Sequence, residues 1–429
     1  MQPRSWLIAA YRLATRILTP LAGVFLRARM RRGKEDAERL DERLGATRTP
    51  RPAGALVWLH GASVGEALAL LPLIDHLRSR GLQILITTGT VTSASVMRQR
   101  LPAGVIHQYA PLDAPRFLRR FLTHWRPSML LIAESELWPN MLIETADAGA
   151  PIALVNARMS DRSLRRWLRA PGAAAAMLGR VTICLTQTEE DAQRFFRLGA
   201  PKVHVTGNLK FDSLAPPVDN AEYARLSAAL GARPAWLAAS THAGEEEIAI
   251  GVHLRLRERW PDLVTMILPR HPERGPEIAA LAQVNGLAPA LRSRADPLPG
   301  PDGLYIADTI GETGLFYRLA GVAFIGRSLT GSGGQNPIEP AKIGAAIVHG
   351  PNVGNFLQVY RELHAGQGAL EVADADDLAA ALAQLLDDSA RTRALARAAY
   401  RTVERIGGAT GRIVLALEPY LLRIRLEEQ

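Results

Sequence analysis

Residues 326–340 read GRSLTGSGGQNPIEP. A short apolar run, Val322 to Ile325, stands before them and has the length and composition of a buried strand. Gly331, Gly333 and Gly334 make the following segment a glycine loop. Asn336 is a favoured helix N-cap, and Pro337 suits the first helical position. A strand, a glycine loop and a helix start in that order let backbone N–H groups approach a phosphate. Glu339 then falls in the first turn, where one carboxylate can accept both hydroxyls of a ribose. Asn336 and Glu339 also form an N-x-x-E variant of the capping box, and a capped helix remains a good anion site. The stretch therefore predicts an α/β fold with a nucleotide or phosphate at a strand end.

Outward from this stretch the same alternation recurs. Strands are expected at Ala55–Leu59, Gln83–Thr88, Val105–Tyr109, Met129–Ala133, Pro151–Asn156, Val181–Thr186 and Val203–Thr206. Helices are expected over Val64–Arg80, Ser93–Leu101 and Asp113–Trp125, and after Pro139. Such alternation predicts a parallel sheet with helices on both faces and ligands at the carboxyl ends of its strands. A second series follows, with strands Ala235–Ser240, Leu263–Leu268, Gly303–Ala307, Val322–Ile325 and Ala346–Val348. The expected division is a membrane-associated segment and basic flank at 1–34, a Rossmann-like domain at 35–212, a Pro-bearing linker at 213–221, and a second Rossmann-like domain at 222–429. The last helix is free to pack back on the first domain. Two such domains facing each other across a cleft describe the GT-B glycosyltransferase architecture, a fold-level analogy that fixes no substrate.

At 429 residues, two domains are the natural prior. The chain is 48% hydrophobic and 22% charged, with a net charge of +9. That basicity fits an anionic membrane surface or anionic substrates. No aromatic-and-basic RNA motif, zinc-finger spacing or basic tail is present, so no nucleic-acid partner is expected. Cys184, the single cysteine, lies in an apolar run and reads as buried and inert. Trp6 to Leu26 is apolar but interrupted by Arg12, Arg16 and Pro20. It fits an imperfect span or a helix lying in the membrane interface. Arg27, Arg29, Arg31, Arg32 and Lys34 follow at once, which predicts a cytoplasmic flank and attraction to anionic lipid.

The residues able to carry chemistry cluster at the expected strand ends. Glu66 follows a strand and a glycine-bearing turn, a place for a general base acting on a hydroxyl or for a first-turn capping carboxylate. Ser63 reads as a cap or a substrate ligand, beside Gly65. Gly61-Ala-Ser63-Val-Gly65 also matches the G-x-S-x-G nucleophile elbow, although no downstream acid and histidine are singled out by spacing. Glu134 and Glu136 follow an apolar strand, and would point the same way if that strand continued. Lys210, after Gly207-Asn208, is placed to meet a carboxylate or phosphate. Ser240 and Thr241 end a core strand of the second series. Pro269 and Arg270 end another, with Arg270 a planar phosphate donor. No HExxH motif or cysteine pair points to a metal.

Taken together, HGASVGE, ESELWPN, GNLKFD, STHAGEEE, PRHPER and GETGLFYRLAGVAFIGRSLTGSGGQNPIEPA, in this order and after a basic apolar N-terminus, closely resemble the 3-deoxy-D-manno-octulosonic acid (Kdo) transferases of lipopolysaccharide synthesis. The resemblance runs over nearly the whole chain. It implies a GT-B fold, an N-terminal membrane anchor at the inner membrane, and a cytoplasmic active site. It implies transfer of Kdo from CMP-Kdo to lipid IVA with inversion and without a metal or other cofactor. By the same resemblance Glu66 is the general base, and Glu136 and Lys210 stabilise the transition state. Pro269-Arg270, Ile310-Gly311-Glu312 and Asn336-Pro337-Ile338-Glu339 contact CMP, with Gly334 and Gln335 beside them. The family pattern carries His before Asn-Pro where this chain has Gln335, so no proton-transfer role is expected there. The readings left beside this one are a GT-B enzyme using a UDP- or GDP-sugar, a nucleotide-sugar epimerase, a serine hydrolase and a non-catalytic membrane-surface protein.

Overall fold

The computed structural model describes residues 5–212, 215–301 and 303–427. The chain forms two compact units, one of Met1–Asp212 with Gly407–Gln429 and one of Ser213–Ile406. In the first, the described strands are β1 (Leu56–His60), β2 (Gln83–Thr88), β3 (Ile106–Tyr109), β4 (Met129–Ala133), β5 (Ile152–Ala157), β6 (Ile183–Thr186) and β7 (Val203–Val205). They pair in parallel in the order β3-β2-β1-β4-β5-β6-β7. The strands are short and apolar because helices cover both faces. Alternation along β1 sends Val57 and Leu59 to one face and Leu56 and Trp58 to the other.

Residues Ala409, Ile413, Val414, Leu417, Leu421 and Ile424 belong to the same core as Val57 and Leu59. The helix Ala409–Glu427 is therefore part of the first unit, packed back from the end of the 222–429 stretch. Asp212 fixes its start by accepting from the backbone N–H groups of Ala409 and Thr410. The single helix expected over Val64–Arg80 is two, Val64–Ala69 and Leu71–Ser79. Pro72 sits in the first turn of the second and has no N–H to continue the first.

Toward its N-terminus this unit carries the helices Trp6–Leu18 and Ala22–Met30, joined by a 3-10 turn at Thr19–Leu21. By length and composition alone, Trp6–Met30 is apolar enough to cross a membrane. Its polar stripe faces the protein. The Tyr11 hydroxyl donates to Asp113, Arg12 pairs with the buried Glu144 at 2.6 Å, and Asn140 donates to the Thr15 hydroxyl. The apolar stripe faces outward, with Trp6 77% and Ile17 66% exposed alongside Leu13, Leu18, Leu21, Val24 and Phe25.

The second unit contains β8 (Ala235–Thr241), β9 (Val264–Pro269), β10 (Ala288–Leu291), β11 (Gly303–Ile306), β12 (Val322–Ile325), β13 (Ala346–His349) and β14 (Ala369–Glu371). All pair in parallel, in the order β10-β11-β9-β8-β12-β13-β14. β10 and β14 were not read from the sequence, being edge strands of four and three residues, the first interrupted by Pro289. The helix Asn220–Leu230 begins inside the stretch read as linker. Asp219 caps it by accepting from Ala221 and Glu222. Residues 213 and 214 of that stretch lie outside the described residues.

Candidate active site

In a doubly wound sheet, ligands bind outside the carboxyl ends of the strands where the strand order reverses. In the first unit the reversal lies between β1 and β4. The turn after β1 carries Ser63 and Glu66, and the turn after β4 carries Glu134 and Glu136. Ser63 caps the helix Val64–Ala69 by accepting from the Glu66 N–H. Its hydroxyl donates to Glu66 Oε1 at 2.7 Å, and the Ala62 N–H donates to Oε2 at 2.8 Å. Each oxygen of the Glu66 carboxylate thus has one fixed donor and a further lone pair. Gly65 is exposed beside it.

Glu136 is half-buried, and Trp138 Nε1 donates to it at 2.7 Å. Burial holds its carboxyl above the ordinary range, and the charges of Glu66 and Glu134 add to that. Glu66 and Glu136 therefore lie within electrostatic reach of each other across the switch point. Glu134 does not continue the strand. It stands in the left-handed region at φ 54, directly after β4, so strand alternation stops there. Its carboxylate meets Lys210 Nζ at 2.9 Å, with Arg158 Nε at 3.9 Å. Glu134 thus holds the Lys210 ammonium. The backbone around Lys210 is fixed by Asn208 Oδ1, which accepts from the Lys210 N–H, and by Asn156 Oδ1, which accepts from the Leu209 N–H.

The nucleophile-elbow reading finds no support in this geometry. Ser63 has an extended backbone and its hydroxyl is bonded to Glu66. His60, close by in sequence, is buried with Nδ1 against the Thr87 hydroxyl at 2.9 Å. Burial lowers it to about 4, so it is a neutral structural group.

In the second unit the strand order reverses between β8 and β12. Ser240 and Thr241 end β8, with Ser240 at φ 55 where the register against β9 slips. Pro269 ends β9 and is buried, while Arg270 is exposed and its N–H donates to the Thr241 carbonyl. Arg270, Ser240 and Thr241 are thus brought together, next to the loop that leaves β12.

The first half of that loop is organised around Glu245, which sequence reasoning missed. Its carboxylate accepts from the N–H groups of His242, Arg327, Ser328 and Leu329 at 2.6 to 3.2 Å, and the residue is 1% exposed. Gly326 permits this. A Cβ there would stand 2.6 Å from the Ser240 carbonyl oxygen and 2.9 Å from Glu245 Oε2. The N–H groups of residues 327–329, which precede the glycines, are therefore bound to a carboxylate and not open to a phosphate. The second glycine cluster also packs on protein. At φ 108, Gly333 lies where a Cβ would meet the Asn355 side chain at 2.4 Å. Gly334 N–H donates to the Arg327 carbonyl, and the Gln335 carbonyl accepts from the Tyr360 hydroxyl.

The helix at this loop runs from Ile338 to Ile343, with Pro337 preceding it, so it starts one residue later than read. Asn336 stands one residue before the cap position, its Oδ1 accepting from the Ile338 N–H, and its Nδ2 lies 3.3 Å from Glu339 Oε1. After β11, Ile310 is 87% exposed and Gly311 is at φ 90. Glu312 is bound by Arg292 through Nε at 3.0 Å and Nη2 at 2.5 Å, and Arg292 also pairs with Glu222. Those hydrogen bonds hold the Glu312 carboxyl below its usual range and fix the turn. Its side chain anchors the Ile310–Glu312 segment, leaving backbone and Ile310 for any ligand contact.

Two doubly wound parallel sheets, each with its polar residues at the switch point, define an α/β protein of the GT-B class. The solved UDP-GlcNAc 2-epimerase from Neisseria meningitidis bound to UDP-GlcNAc shares this fold, with a TM-score of 0.55 at 14% identity over 86% of this chain and all of that one. The profile of the family described as 3-deoxy-D-manno-octulosonic-acid transferase (kdotransferase) matches residues 38–213. The 3-deoxy-D-manno-octulosonic acid transferase of Bordetella pertussis is 38% identical over 427 residues, covering 96% of this chain and 99% of the relative. A probable mitochondrial 3-deoxy-D-manno-octulosonic acid transferase of Arabidopsis thaliana is 38% identical over 365 residues, covering 82% and 81%. The chain belongs to the Kdo transferase family, and is a glycosyltransferase.

Proposed function

We propose that this chain transfers Kdo from CMP-Kdo to lipid IVA in lipopolysaccharide synthesis, inverting the anomeric centre, with Glu66 as general base. The observation that carries the reading is the position of Glu66 and Glu136 on the two sides of the first unit's switch point, within electrostatic reach of each other. The Ser63 hydroxyl and Ala62 N–H orient the Glu66 carboxylate. Its remaining lone pairs take the proton from an acceptor sugar hydroxyl as that oxygen bonds to the anomeric carbon. The bond from that carbon to the phosphate oxygen breaks, and CMP leaves with the electron pair. Glu136 faces the positive charge that develops on the sugar. Lys210, held by Glu134, offers a fixed cation to the anionic donor. In the second unit, Arg270 meets the phosphate as a planar donor, and Glu339 holds the ribose. No metal enters this account, because the leaving group is a monophosphate that fixed donors can stabilise.

The outward apolar stripe from Trp6 to Phe25 lies in the membrane interface rather than across the bilayer. Its opposite face is engaged with Asp113, Asn140 and Glu144. The basic flank from Arg27 to Lys34 adds attraction to anionic lipid and places the catalytic unit on the cytoplasmic side of the inner membrane.

Purified chain, CMP-Kdo and lipid IVA give the test, with products read by mass spectrometry. A gain of Kdo mass is expected with wild type, and a rate about 10²–10⁴-fold lower with Glu66→Gln. A folded Glu66→Gln variant as fast as wild type would remove the base. Folded wild type inert with CMP-Kdo but active with another sugar nucleotide would remove the donor.

A further inference from the structure

The far side of the second unit's sheet brings together three residues that sequence spacing gives no reason to connect. His349 ends β13 and is fully buried. Glu371 ends the adjacent β14 and is its register partner. His364 comes from the last turn of the helix Leu357–Ala365, which packs on β14. His349 Nδ1 lies 2.7 Å from the Gly350 carbonyl oxygen. A carbonyl only accepts, so Nδ1 carries the proton and Nε2 presents its lone pair. That lone pair points at His364 Nε2, 3.0 Å away, and Glu371 Oε2 is 3.6 Å from the same nitrogen. The three ligand atoms all lie within 4.8 Å of one another.

We propose that His349, His364 and Glu371 form a binding site for a divalent cation of the zinc class. A tetrahedral zinc ion with bonds of ~2.0–2.2 Å requires donor atoms about 3.3 Å apart, and the observed spacings bracket that value. The His349–Gly350 contact is the kind of hydrogen bond that fixes the tautomer and orientation of a ligating imidazole. In the metal-free chain one proton bridges the two facing nitrogens. A cation takes its place when that proton moves to Nδ1 of His364, leaving both imidazoles neutral. Two imidazoles and one carboxylate select zinc, cobalt or nickel over magnesium, which prefers oxygen ligands. His364 and Glu371 are partly exposed, which gives the ion an entry path and leaves room for a water ligand.

The ion would not take part in transfer. It would tie the ends of two strands to one helix. The same framework reaches the loop before Asn336, because the Tyr360 ring packs on His349 at 4.3 Å and its hydroxyl donates to the Gln335 carbonyl. Occupancy would therefore stiffen the support of that loop.

The test uses tag-free full-length protein, stripped with a chelator and titrated with Zn²⁺, Co²⁺ and Mg²⁺. Calorimetry reads stoichiometry, and Co²⁺ visible absorption reads coordination. Wild type should bind one Zn²⁺ or Co²⁺ and gain thermal stability, with a four-coordinate Co²⁺ spectrum and no response to Mg²⁺. His364→Ala and Glu371→Gln, both at partly exposed positions, should fold and bind at least roughly tenfold more weakly. Equal binding by wild type and both variants, or no binding by wild type, overturns the site. Neither result depends on transfer activity, so the proposal stands or falls apart from the assignment of donor and acceptor.

Discussion

Glu136 sits half-buried between a tryptophan that donates to it and two carboxylates that repel its charge. The net effect raises its proton affinity in the folded chain, so folding favours the protonated form. Its contribution to stability is therefore greatest below the ordinary carboxyl range, and declines as pH rises through the window up to its raised folded value. Glu136→Gln removes that decline. Thermal melts should show the variant more stable than wild type at neutral pH, and the two converging in acid, while transfer falls. A variant no more stable at neutral pH would mean that Glu136 is better solvated than its burial implies. Glu66 was legible in the sequence because a strand, a glycine turn and a helix start bracket it. Lys210's partner was not. The pairing depends on Glu134 at φ 54, a backbone conformation that sequence alternation cannot show. Glu245 was hidden for a related reason. A first-turn glutamate reads as a helix-dipole residue, and three of its four backbone partners, Arg327, Ser328 and Leu329, come from a turn distant in the chain.

At the scale of elements, most of the sheet could be read in advance. Buried parallel strands announce themselves as apolar runs, and β12 has the bounds its sequence suggests. The edge strands β10 and β14 and the break at Leu70 could not, since β10 carries Pro289 within its four residues, β14 has only three, and Pro72 also fits a helix start. For the N-terminal helix, composition left spanning and lying flat equally open. The contacts of Tyr11, Arg12 and Thr15 show which face the protein holds. Leu13→Ser with Ile17→Ser changes only the outward face. Since burying each such side chain contributes ~1.5–3 kcal/mol, flotation with vesicles of anionic phospholipid should show binding weakened by about 10²-fold or more, with circular dichroism unchanged. Undiminished flotation would show that this stripe does not enter the lipid.

For the whole molecule, the division into units follows packing and not sequence order. Six apolar side chains of the helix Ala409–Glu427 complete one face of the first unit's core. A fragment ending at Asp212 would leave Val57, Leu59, Leu73 and their neighbours uncovered, and should be aggregated or molten by near-ultraviolet circular dichroism and dye binding. Residues 213–406 hold a complete sheet with its own core, and should melt cooperatively alone. A cooperatively folded 1–212 fragment would show that the terminal helix is dispensable. The sequence left that helix free to join either domain, because composition shows its apolar face but not which core receives it.

That path has a consequence in time. During synthesis the helices Trp6–Leu18 and Ala22–Met30 are made long before the helix Ala409–Glu427 that closes the same unit's core. Residues 213–406 can fold while the earlier half of the chain is still waiting for its final layer. The turns that carry Glu66 and Glu136 thus acquire their finished surroundings only after the second unit has been made, so a chain abandoned after Ile406 would hold a folded second unit beside an uncovered first core.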